Sequence, residues 1–133
     1  MTTLANSLRA GGFIQSEANY GRSRDEVPML TGYGVLSAGT VLSMTASGYY
    51  VPCVASADDG SQVAVAVLYD QTDTDAEGWN QIAIAVTRAA EVRAEDLTFD
   101  ASITTLDEQK SKWTQLEAVG IIVRQAGGVQ ASS

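Results

Sequence analysis

Apolar and polar positions divide the chain near Val27. Upstream, residues 1–26 mix Gly, Ser, Asn, Arg and Glu with scattered apolar side chains, and neither a strand period nor a helix period persists. Such a segment buries too little apolar surface to offset its own ordering, so it is predicted to be an arm, mobile in the free protein. Residues 27–31 then read as a short edge strand, because Pro28 cannot donate to a central ladder. Residues 40–45 and 49–54 are β-rich runs joined across Ala46, Ser47 and Gly48, which predicts a hairpin. Asp58, Asp59 and Gly60 mark a second turn. Residues 63–69 are apolar on both faces, as expected of a strand buried on both sides or packed against another subunit. Residues 80–88 pair Ile82, Ile84 and Val86 with Ala83 and Ala85, a small-residue face that permits close approach by another backbone or sheet.

The last third carries the clearest local signals. Thr105 and Glu108 have the spacing of a capping box, and Asp107 and Glu108 suit the positive end of a helix dipole. Gln109, Trp113, Leu116 and Val119 recur at helical spacing, with Trp113 expected to anchor the helix in the core. Gly120 is placed to end the helix in a left-handed conformation. The β-branched run 121–123 is too short for a second helix and reads as a buried strand. The pattern therefore predicts a mainly β fold of the α+β class with one or two short helices. Its expected organisation is an arm (1–26), a β-rich body (27–125) and a flexible C-terminal tail (126–133) containing Gly127 and Gly128.

Composition narrows the function classes. The 133 residues suit one compact domain, and 45% are hydrophobic, enough for a real core. A net charge of −8 is a poor match for nucleic acid, where phosphate neutralisation needs clustered Lys and Arg. No apolar run approaches the ~20 residues of a membrane span. The first residues lack the basic-then-apolar order of a signal peptide, and the single cysteine, Cys53, allows no intrachain disulfide, so synthesis in a reducing cytoplasm is expected.

Candidate chemistry is sparse. The chain has no histidine, which removes the Ser-His and Cys-His nucleophile arrangements and the commonest metal ligand. Cys53, within an apolar strand, reads as a small buried hydrophobe. Gly32 and Gly34 flank Tyr33 outside the strand-loop-helix context of a phosphate loop. Asp73, Asp75, Glu77 and Gly78 imitate the first half of an EF-hand loop, but the closing position is Ile84 and both flanks read as strand. A solvated connection is the expectation there, as it is for Asp58 and Asp59. Glu95 and Asp96 could serve glycosidic acid-base chemistry only in a cleft, and nothing in the pattern supplies one. Trp79, in an acidic loop, is the one large aromatic expected near a surface.

The order of these features resembles the head decoration proteins of tailed bacteriophages, the family typified by the lambda capsid-stabilising protein. Residues 38–42 (small, Gly, Thr, Val, Leu) look like the family's strand entry, and residues 64–70 look like its central apolar strand. Phe13, Ile14 and Glu17, followed by Ser23, Arg24 and Asp25, resemble the arm of longer members. The likeness runs through the capped helix and the 120–124 strand, covering residues 13–125. The chain departs from short members in its long arm and its Gly-rich tail.

The resemblance implies a non-enzymatic structural subunit without cofactor, metal or small-molecule substrate. It implies a homotrimer on local three-fold sites of the outer capsid surface of the virion, bound to the major capsid protein. Phe13, Ile14, Glu17, Tyr20, Arg22 and Arg24 are the expected capsid-binding residues. Val65, Val67, Ile84, Val86, Trp113 and Leu116 are the expected trimer or core packing residues. The alternative from another class is a trimeric receptor- or carbohydrate-binding module on a virion, with Trp79, Tyr33, Tyr49 and Tyr50 as its platform.

Overall fold

The computed structural model describes residues 12–17, 23–55, 60–76 and 79–124. Among the described residues, ten strands and one α-helix make a mainly β structure. In chain order the strands are β1 (Ile14–Glu17), β2 (Arg24–Met29), β3 (Val35–Leu36), β4 (Val41–Met44), β5 (Tyr50–Pro52), β6 (Ala64–Leu68), β7 (Thr72–Asp73), β8 (Gln81–Val86) and β9 (Ala90–Arg93). A 3₁₀ turn (Ala94–Asp96), helix α1 (Leu106–Ala118) and strand β10 (Ile121–Arg124) follow. Five strands close into a barrel in the order β2-β5-β4-β6-β8. A three-stranded sheet, β1-β9-β10, and a small pair, β3-β7, complete the fold.

Alternation along the barrel strands builds two cores. Leu42, Ala66, Ala83 and Ala85 turn inward to meet Val27, Met29 and Leu68. Their neighbours Val41, Val67 and Val86 turn outward into a second cluster with Phe13, Val92, Trp113, Leu116, Ile121 and Val123. The three-stranded sheet and α1 thus cover one side of the barrel. This explains much of the two-faced apolar character: the outward-facing Val67 and Val86 are buried within one chain and the alanine face of β8 lines the narrow barrel interior, while Ile82 on the outer face of β8 stays exposed. Val65 is the extra residue of a bulge opposite β4, between Leu42↔Ala66 and Ser43↔Ala64. That extra residue lets Ala64 and Ala66 serve different cores.

The 40–54 hairpin forms as the pattern predicts, with Gly48 at φ +94° and its N–H donating to Thr45 O at 2.9 Å. The capping box is complete. The Glu108 N–H donates to Thr105 Oγ1, and the Thr105 N–H donates to Glu108 Oε1, each at 3.2 Å. The backbone N–H groups of Thr104 and Thr105, both donating to Glu108 Oε1, hold the Glu108 carboxyl below its ordinary value. Trp113 and Leu116 are buried, and Gly120 ends the helix at φ +91°. Lys112 is buried beside them and reaches the Gln62 carbonyl, while Gln115 Oε1 accepts from the Ala64 N–H at 2.7 Å. Together they pin α1 to the entry of β6.

Two features differ from the sequence expectation. The strand containing Pro28 is not at an edge: β2 lies between β8 and β5 in the barrel. Its ladder to β5 reaches only Met29, however, so most of β2 is paired on one side and the missing N–H of Pro28 is tolerated. Part of the stretch 1–26, expected to be an arm, is also folded into the body. Phe13 is wholly buried, β1 pairs with β9, and β2 begins at Arg24. An isolated apolar pair gains its stability here from a sheet edge and a core built from the far end of the chain. Residues 1–11, 18–22 and the tail lie outside the described residues.

Candidate interaction surface

Of the six residues expected to bind a capsid, Phe13, Ile14, Glu17 and Arg24 are among the described residues. Phe13 is fully buried in the outer core, and Ile14 packs half-buried against that core. Glu17 ends β1 opposite Ala90. Arg24 stacks its guanidinium 3.9 Å from the centre of the Tyr69 ring, a cation–π contact within the body. Tyr20 and Arg22 lie outside the described residues. Of the packing residues, Val67, Val86, Trp113 and Leu116 are core. Val65 packs half-buried at its bulge, and Ile84 is half-buried on the outer barrel face.

Four of the seven exposed large apolar side chains among the described residues, Tyr33, Val35, Trp79 and Ile82, lie in or near a lobe that the sequence did not reveal. Loop 31–34 and strand β3 pack on β7 and the turn after it, through Val35↔Asp73 and Leu36↔Thr72. Asp75 holds the two loops together. Its Oδ1 accepts from Thr31 Oγ1 at 2.9 Å and from the Gly32 N–H at 2.7 Å, and its Oδ2 accepts from the Gly34 N–H at 3.0 Å. Gly32 and Gly34 supply the positive φ angles that aim both amides at one carboxylate. These donors pull the Asp75 carboxyl below its ordinary value of 3.8. Buried Thr74 adds a second tie, donating its hydroxyl to Gly34 O at 2.8 Å and accepting from the Tyr33 N–H at 3.0 Å. Asp75 therefore has the role of a loop staple rather than that of the position-3 ligand of an EF-hand loop. The two glycines around Tyr33 were the visible signal for it.

Exposed on or beside this lobe are Tyr33, Val35, Trp79 and, on β8, Ile82; Trp79 and Ile82 are about two-thirds exposed (65% and 66%). Tyr50 of the suggested sugar platform packs against the barrel core, where burial and the nearby Asp25 carboxylate raise its pKa. A shallow groove of about 260 Å³ runs beside the lobe, lined by Tyr33, Val35, Pro52, Phe99 and Asp100. Within it Thr40 Oγ1 donates to Ser37 O at 2.7 Å, and the Asp100 carboxylate accepts from the Ser102 N–H at 3.0 Å.

No acid-base or nucleophile-base pair converges on that groove among the described residues. Asp96, on the charged turn before Leu97, is paired with Arg93 at 2.9 Å. Cys53 is buried, and its surroundings push the thiol up to about 11, principally by desolvation, so it stays protonated at neutral pH. Among the described residues, no group of three or more acidic or Cys side chains is placed to hold a metal ion.

The family model described as bacteriophage lambda head decoration protein D matches residues 3–121, from before β1 to the first residue of β10. No curated protein matches the chain. Head decoration is a structural role, and the family is not one of enzymes. With nearly the whole described fold inside the match, the chain belongs to the bacteriophage lambda head decoration protein D family.

Proposed function

We propose that this chain is a cementing subunit of a phage head. It binds the outside of the expanded shell as a homotrimer at local three-fold sites, contacts the major capsid protein and stabilises the shell against internal DNA pressure. The observation that carries this reading is the family match over residues 3–121. Synthesis takes place in the host cytoplasm and function on the virion.

The mechanism is mass action. A ligand that binds only the expanded shell stabilises it by RT ln(1 + [L]/Kd), about 2.7 kcal/mol per site at a concentration of 100 Kd. Three copies presented together gain avidity, so modest contacts by each are enough. Because Phe13 and β1 belong to the body, the shell-binding arm is assigned to residues 1–11, which carry Leu4, Leu8 and Arg9; Tyr20 and Arg22 add to the contact. Extended arm segments can add a strand to a partner through main-chain hydrogen bonds without a distinctive sequence.

The test is co-sedimentation with expanded and unexpanded shells of the phage that encodes the chain. The full-length protein is compared with a full-length variant whose residues 2–9 are replaced by a glycine-serine sequence. Binding to expanded shells only, weakened in the variant, is expected. Equal binding to both shell forms, or to neither, contradicts the reading.

A further inference from the structure

Arg93 holds the point where the N-terminal segment joins the body. Its backbone N–H donates to Phe13 O at 2.9 Å. Its guanidinium donates to the carbonyl of Gly12 and, at 3.5 Å, to that of Ile14. Three consecutive residues are therefore gripped by one. The guanidinium is aimed by Asp96, on the 3₁₀ turn directly after β9, through an Nε–Oδ2 contact of 2.9 Å.

Two observations separate this arrangement from ordinary surface pairing. First, β1 has an irregular register between Ile14 and Ser16, so the ladder to β9 is interrupted just where the strand begins. The Arg93 side chain supplies there the fixation that the ladder lacks. Second, the pair is partly exposed, with side-chain exposures of 38% and 27%, and pairs of that kind add little to global stability. A planar fork of donors bridging carbonyls two residues apart instead sets the direction of a chain.

We infer that Arg93, oriented by Asp96, is a positioning residue for shell binding. It fixes Gly12, the residue that joins the arm to the body, at one place on each subunit, so that the arms of a trimer start from set points and reach the shell together. The inference rests on the reading that residues 1–11 contact the shell.

The experiment is a double-mutant cycle on the full-length chain, read as affinity for expanded shells of the encoding phage. Its variants are Arg93→Met, the glycine-serine replacement of residues 2–9, and both together. Arg93→Met should weaken binding by about tenfold or more while the native arm is present. It should add no further loss once the arm is replaced. Asp96→Asn keeps the guanidinium but removes its aim, and should give a smaller loss, about threefold. It also serves if Arg93→Met fails to fold. An equal loss from Arg93→Met on both backgrounds would mark a general structural effect and overturn the inference. So would unchanged binding of Arg93→Met or Asp96→Asn with the native arm, provided that arm replacement itself weakens binding. If arm replacement has no effect, the arm reading fails and the inference with it.

Discussion

Replacing Phe13 by alanine removes a wholly buried ring from a core that also contains Val41, Val86, Val92, Trp113 and Leu116. Large-to-small changes of this kind cost about 3–5 kcal/mol, through lost transfer free energy and the cavity left behind. Against a total stability of about 5–15 kcal/mol, that is a large fraction. With a urea slope near ~2 kcal/mol/M, the unfolding midpoint should fall by about 2 M. Urea titration followed by tryptophan fluorescence reads this directly, because Trp113 lies in the same cluster. Protomer concentration must be held constant, since self-association would raise apparent stability. The control is Ile82→Ala, on the exposed face of β8, which should change stability by no more than ~0.5 kcal/mol. A Phe13→Ala midpoint indistinguishable from this control would mean that β1 is not part of the folded body.

Three further outcomes follow from the same structure. Gly60→Ala should destabilise by more than ~1 kcal/mol in the same titration, because the new Cβ would lie 2.6 Å from Met44 O at a φ of +99°. The Asp75 carboxyl is held below 3.8 by its donors from loop 31–34, so the folded state binds its proton later than the unfolded state does. Its contribution is full above that value and is lost as pH falls through the lowered one; Asp75→Asn should flatten this acid limb, read by thermal melts between pH 2 and 5 (roughly the carboxylate range). Cys53, with its thiol pushed up to about 11, should resist a disulfide reagent until the protein unfolds, and its contribution to stability should decline as pH rises from 9.0 towards that value.

How legible the fold was depended on the distance between interacting residues. The capping box at Thr105 and Glu108, the turn at Gly48 and the helix stop at Gly120 are local, and each was readable from a few neighbouring residues. Cys53 was readable as core from its apolar strand. Phe13 was not, because what buries it is β9 and the helix region: Ile14 pairs with Val92, and Gly12 is gripped by Arg93. Pro28 pointed to an edge that barrel closure removes, since the β2–β8 ladder joins Arg24 to Val86. The two-faced strands suggested subunit contacts; the second core under α1 accounts for the outward-facing Val67 and Val86, while Ile82 stays exposed and Ile84 half-buried. Asp75 looked like part of a cation loop because its partners, Thr31, Gly32 and Gly34, are more than forty residues away. Side chains at such separations meet only once topology is fixed, and a single sequence carries little trace of that.

The central claim is that the chain cements an expanded phage head, and co-sedimentation with shells in the two states tests it most directly. The account predicts saturable binding to expanded shells at a ratio of three copies per three-fold site, with none to unexpanded shells and a raised disruption temperature for the decorated particles. Failure to bind expanded shells, or binding that leaves their disruption temperature unchanged, would contradict it.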